Sequence, residues 1–190
     1  MATAQRSMRR GEWIALLVLG IPTFAFALAI TTVSTYLPVL ASSFASSTVV
    51  IGVLIGGEGL MALVLPIVVG SWSDRLETPI GGRLPFVLAA SPVLVLVLAL
   101  LGFVGSIGAA AIALAIFFGA YFVAYEPYRA LYPDLVDDEI AGRAQSTQAL
   151  CRGLATVIAL SAGGVLITIA KPLPFLAGAV VVGVSIAAFA

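Results

Sequence analysis

The sequence predicts an all-α membrane protein of six transmembrane helices, arranged as an inverted three-plus-three repeat. Three observations predict it. Hydrophobic residues fill 62% of the 190 positions and charged residues 9%, with a mean hydropathy of +1.18. Soluble domains carry about 25% charged residues, so this chain has too little charge to coat a water-facing surface. Six apolar runs approach or exceed the roughly 20 residues that cross a hydrocarbon core. Finally, a shift of 89 residues aligns Tyr36, Pro38 and Ala41 with Tyr125, Pro127 and Ala130, and Leu84, Pro85 and Phe86 with Leu173, Pro174 and Phe175.

The first helix is expected from Trp13 to Leu40. It follows Arg6, Arg9 and Arg10 in the manner of a signal peptide, but its apolar run is far longer than the roughly 7–15 residues of a signal core. A short polar turn, residues 41–47, leads into the second helix, Thr48 to Ser71. Gly52 and Gly56 in that helix form a GxxxG pattern that favours close helix packing. The third helix is expected from Pro85 to Val104, because proline suits a first helical turn. The fourth runs from Ile107 to Leu131 and the fifth from Ala144 to Ala170. The sixth, Pro174 to Ala190, has the bare length of a span. It ends inside an apolar run, so the chain is expected to be the first half of a longer protein.

Basic residues set the orientation. With the N-terminus in the cytoplasm, Arg6, Arg9, Arg10, Arg75, Arg83, Arg129 and Arg143 all flank helices on the cytoplasmic side, and only Lys171 flanks one outside. This is the positive-inside pattern of a multi-pass protein of the plasma or inner membrane. Trp13 and Trp72 fall at the same interface, as an aromatic belt requires. Three spans separate the matched halves of the repeat. An odd number places the copies in opposite orientations, an arrangement common in transporters.

Composition also excludes. Nine basic and nine acidic residues balance, so no nucleic-acid partner is expected. The chain has no histidine and one cysteine, Cys151, which removes disulfides, multi-cysteine metal sites and histidine-based catalysis. No cofactor, metal or catalytic residue is expected, and the chain is not read as an enzyme.

The remaining polar residues carry the functional expectation. Glu58 falls near the middle of the second helix, where a charge costs about 2.5–3.5 kcal/mol on insertion scales. Such a residue normally faces the protein interior or a water-filled path, so Glu58 is a candidate proton carrier or substrate acceptor, against a purely structural hydrogen-bonding role. Glu126 and Arg152 fall at similar depth on the fourth and fifth helices. They are expected to pair, either as a gate that breaks and re-forms or as a static ion pair, with direct substrate contact as another role for Arg152. Asp137, Asp138 and Glu139 read as a solvated loop whose charge suits a helix N-terminus.

The most polar segment of the chain is GSWSDRLETPIGGRLPF, Gly70 to Phe86. Gly70 is expected to allow close helix approach. Asp74 lies where a neighbouring helix N-terminus could donate to it, Arg75 and Arg83 can pair with carboxylates, and Pro79, Gly81 and Gly82 turn the chain. Arginines alone would set topology, and that role leaves the aspartate unexplained.

Gly70, Asp74, Arg75, Gly81 and Arg83 resemble the cytoplasmic loop signature of the major facilitator superfamily, and the longer run is similar to that of its sucrose-transporter and glycoside–cation symporter branches. Pro127-Tyr128-Arg129-Ala130-Leu131-Tyr132-Pro133-Asp134-Leu135 is similar to a run after the fourth helix in the sucrose branch, and Gly142-Arg143 falls where relatives carry the same pair. The chain departs from the pattern at Gly82 and Leu84, where the branch carries basic residues beside Arg83. It also has Ala62 and Pro66 near where melibiose-carrier-like relatives hold cation-binding carboxylates.

The resemblance implies half of a twelve-helix carrier that works by alternating access, with a small-molecule substrate bound between the halves. Its partners would be the lipid bilayer, a proton rather than sodium, and a missing C-terminal half or a second copy of the chain. The two loops, from Gly70 to Arg83 and from Arg129 to Arg143, would latch the cytoplasmic side, and Asp134 would meet Arg75 or Arg83. Uptake of a small sugar or glycoside is the implied function. The alternatives are a proton-coupled efflux carrier and a non-transporting sensor or assembly factor on a half-transporter scaffold.

Overall fold

The computed structural model describes residues 9–45, 47–76, 78–79 and 81–189. Arg6, Glu77 and Ala190 lie outside them. Six α-helices follow one another: α1 (Arg10–Ala41), α2 (Thr48–Ser73), α3 (Leu84–Leu101), α4 (Ile107–Leu135), α5 (Ala141–Ile169) and α6 (Leu173–Phe189), with one 3₁₀ turn, Asp138–Ile140, before α5. No strand occurs among the described residues. Five of the helices are long and apolar enough to cross a membrane, and α6 is a shorter apolar helix.

Local chemistry sets the helix ends. Glu12 folds back on the backbone N–H of Arg9 at 2.8 Å, and Arg9 Nε donates to it at 3.0 Å, which closes the start of α1. The Ser106 hydroxyl caps α4 by accepting from Ala109 N, satisfying one of the donors a helix start leaves free. Pro85 lies in the first turn of α3. The expected boundaries differ by a few residues. Helix α4 continues to Leu135 through Pro133, because a proline removes only one hydrogen bond and this one lies in the last turn. Helix α5 starts three residues before Ala144, once the 3₁₀ turn has reversed the chain.

Side-chain contacts fix the directions. Leu19 near the start of α1 meets Tyr132 near the end of α4, so these two helices are antiparallel. Gly20 and Tyr36 of α1 face Cys151 and Gly163 of α5 respectively, so α1 and α5 are parallel. Arg83 at the start of α3 reaches Ala130 and Asp134 at the end of α4. Gly102 at the end of α3 abuts Pro172 just before α6. Successive helices therefore alternate in direction, and α1 is antiparallel to α4 as α3 is to α6.

The core lies where α1, α3, α4 and α6 meet. Phe26, Phe117, Phe175, Leu94, Leu98 and Val182 are fully buried there. The flanking helices α2 and α5 are different. None of the most apolar stretch of α2 is buried and only 17% of that of α5, against 44–50% in α1, α3 and α4. The expected close packing at Gly52, Gly56 and Gly70 does not occur within this chain, since a Cβ at each would meet nothing within 4 Å.

Candidate functional site

A polar groove opens between α2, α4 and α5. It comprises two adjoining cavities of about 650 Å³ and 590 Å³ that share Pro66, Tyr125, Glu126, Arg129 and Arg152. The first reaches Asp74 and Arg83 at the charged end of the bundle. The second reaches Glu58 and is closed on the α1 side by Ala27 and Ile30. In a bundle with so few charges, six charged side chains thus border one continuous space.

At the charged end, Arg83 is the hub. Its guanidinium pairs with Asp74 Oδ1 at 3.1 Å and Asp134 Oδ2 at 2.6 Å, and it also donates to the Ala130 carbonyl. The Arg83 side chain is 21% exposed, while the two carboxylates are 59% and 50% exposed. One arginine, in the N-cap position just before α3, therefore ties the end of α2 to the end of α4. The turn that delivers it depends on two glycines. Gly81 has φ +87°, a left-handed conformation that favours glycine, and its N–H donates to the Thr78 carbonyl at 2.9 Å. A Cβ on Gly82 would come within 2.3 Å of the Leu76 carbonyl and 2.7 Å of that of Ser73. Beside this turn, Trp72 meets Phe86 edge-on at 5.1 Å.

Deeper in the groove, Glu58 accepts a hydrogen bond from the Ser34 hydroxyl of α1 at 3.2 Å. Glu126 and Arg152 share both cavities, yet each faces a different partner. Glu126 lies 4.0 Å from Arg129, one turn further along α4, and Arg152 donates to Gln148 Oε1 at 3.2 Å. Arg75 is exposed and has no ion-pair partner among the described residues, so Asp134 goes to Arg83. Pro127 is buried in α4. Arg143 and Gly142 lie in the first turn of α5, where their carbonyls accept from Thr147 and Ser146.

Sequence reasoning missed several lining residues. Gln145 and Gln148 face the groove, and Gln148 is detectable because it lies four residues before Arg152 on the same helical face. Tyr125 was visible only as a repeat match, yet it lines both cavities and stacks on Tyr121 at 5.2 Å. A buried hydroxyl knot behind the groove was also missed. The hydroxyls of Tyr128, Tyr132 and Thr23 all donate toward the Leu19 carbonyl, and Thr23 lies 3.0 Å from each tyrosine oxygen. Its sequence signals are Pro22, which disturbs the α1 ladder, and a tyrosine pair spaced by four.

Among the described residues, no group of histidine, cysteine, aspartate and glutamate could hold a metal ion. The arrangement presents hydrogen-bond donors and acceptors of both charges along one open surface. Compared with protein-family models, with curated proteins and with solved structures, the chain matches none.

Proposed function

We propose that the chain is the six-helix bundle of a secondary active transporter that moves a small polar solute, a sugar or glycoside, together with a proton. The observation that carries this reading is the groove itself. Charged and polar side chains from three helices line a continuous path from the charged end to Glu58, and ionisable residues within membrane spans mark solute and proton routes. The helix pairing adds support. The α1·α5 contact has its counterpart in α4·α2, and α1·α6 has its counterpart in α3·α4. Exchanging the first three helices with the last three preserves both sets, as an inverted repeat requires. The resemblance of the Gly70–Arg83 loop to the major facilitator signature points the same way, with the Arg83 cluster as a latch that holds the charged end shut in one state.

Glu58→Gln is the test. In proteoliposomes with an imposed pH gradient, wild-type chain should accumulate a labelled sugar and the variant should lose proton-driven accumulation while keeping its helicity. Export rather than uptake under the same gradient would favour the efflux carrier. Absence of gradient-driven flux in either direction from correctly inserted wild type would favour the non-transporting reading.

A further inference from the structure

Three arginines line the groove, and their partners differ. Arg83 holds two carboxylates. Arg129 has Glu126 at 4.0 Å. Arg152 has no carboxylate within 4.0 Å among the described residues, and its hydrogen-bond partner is the neutral amide oxygen of Gln148. Gln148 is 3% exposed, so this amide is a fixed part of the wall. Arg152 is half-buried in an apolar bundle, where a cation without a counter-charge is costly. It also borders both cavities, at the point where they join. The guanidinium is thus set in place by an amide, with no ion pair to any described carboxylate, and it faces open space.

We propose that Arg152 is the docking point for the carboxylate of a small hydroxylated organic acid, with Gln148 holding the guanidinium in place. A planar guanidinium presents paired donors that match a carboxylate, and such a charge-assisted pair gains strength as water is excluded. The rest of the groove suits hydroxyl groups: Tyr125 lines both cavities, Gln145 lines the outer one, and Glu58 accepts hydrogen bonds in the inner one. The inference rests on the groove being the path of a small polar solute, and it replaces the neutral sugar by a sugar-sized monocarboxylate. A monoanion carried with one proton is electroneutral, so such transport would follow the pH gradient and not the membrane potential.

The test compares gluconate with its neutral amide, gluconamide, by calorimetric titration of the purified 190-residue chain in detergent. The expected result is at least tenfold tighter binding of gluconate. Arg152→Gln, checked for retained helicity and monodispersity, should bring gluconate down to the affinity of gluconamide, and Arg152→Lys should keep part of the preference. Equal binding of the two compounds by wild type, binding of neither, or an undiminished gluconate preference in folded Arg152→Gln would each overturn the proposal. The wild-type comparison decides even if the variants do not fold. A neutral sugar accumulating through Glu58 while gluconate is not preferred would overturn the carboxylate site and leave the transporter reading standing.

Discussion

Tyr36 and Tyr125 occupy equivalent places in the proposed repeat, yet they do opposite things. Tyr36 closes an interface. Its hydroxyl donates to the carbonyls of Ala159 and Leu160 at 2.9 and 2.8 Å, and its ring lies over Gly163 so closely that a Cβ there would be 2.5 Å from Cε2. Tyr125 borders an opening. It is half-buried, stacks on Tyr121 of its own helix, meets Phe26 of α1 edge-on, and lines the groove beside Pro66 of α2. The difference lies in the facing helix. Helix α5 offers a glycine and two carbonyls where Tyr36 arrives, whereas the neighbourhood of Tyr125 includes Pro66 and the charged pair Glu126–Arg129. Related helix pairs can thus be sealed or left open according to one small residue and the placement of charge.

The comparison can be broken most severely at the sealed side. Gly163→Leu should displace the Tyr36 ring and destabilise the bundle by about 1–3 kcal/mol or more, as overpacking does. A detergent unfolding titration that leaves this variant as stable as wild type would show that the α1·α5 seam is loose. At the open side, Asp74→Ala should insert and fold but lose most transport, because Arg83 then keeps only its α4 partners, Asp134 and the Ala130 carbonyl, and its ion pair to the end of α2 is gone. Normal flux by this variant would mean that the Arg83 cluster is not a latch.

Smaller effects sharpen the contrast between the two tyrosines. Tyr36→Phe removes two hydrogen bonds inside the bundle and should lower stability by about 0.6 kcal/mol, the mean for interhelical side-chain bonds in a membrane bundle, and by no more than about 1.7 kcal/mol. Tyr125→Phe should leave stability within about 0.5 kcal/mol, while changing solute affinity if the groove is the binding path. Parallel unfolding and uptake measurements on the two variants separate a seam residue from a lining residue. Equal stability losses would erase the distinction.

Much of the architecture was legible because lipid imposes it. Backbone groups in hydrocarbon must be satisfied within the helix, so each apolar run had to be helical, and the starts at Thr48 and Ile107 were readable from the polar residues before them. Glu58 stood out for the same reason, as a carboxylate in an apolar run. The groove was less legible. Glu126 and Arg152 were recognisable as intramembrane charges, but their partners depend on depth and rotation about the helix axis. The nearest carboxylate to Arg129 is one turn away on the same helix, and local pairing of this kind needs no neighbouring helix to be correctly placed.

The sequence by itself determined the solvent, the number of helices, their alternation and the positions where charge had to be sheltered, because composition and apolar run length respond directly to the bilayer. Tertiary structure alone decided that Arg83 takes both Asp74 and Asp134 while Arg75 stays exposed, that Gly163 rather than the GxxxG of α2 receives a packed neighbour, and that Tyr128 and Tyr132 converge on the Leu19 carbonyl. Each of these joins residues far apart in the chain. Such contacts follow from how helices rotate and cross, which sets side-chain reach at a scale of a few ångströms that periodicity does not encode.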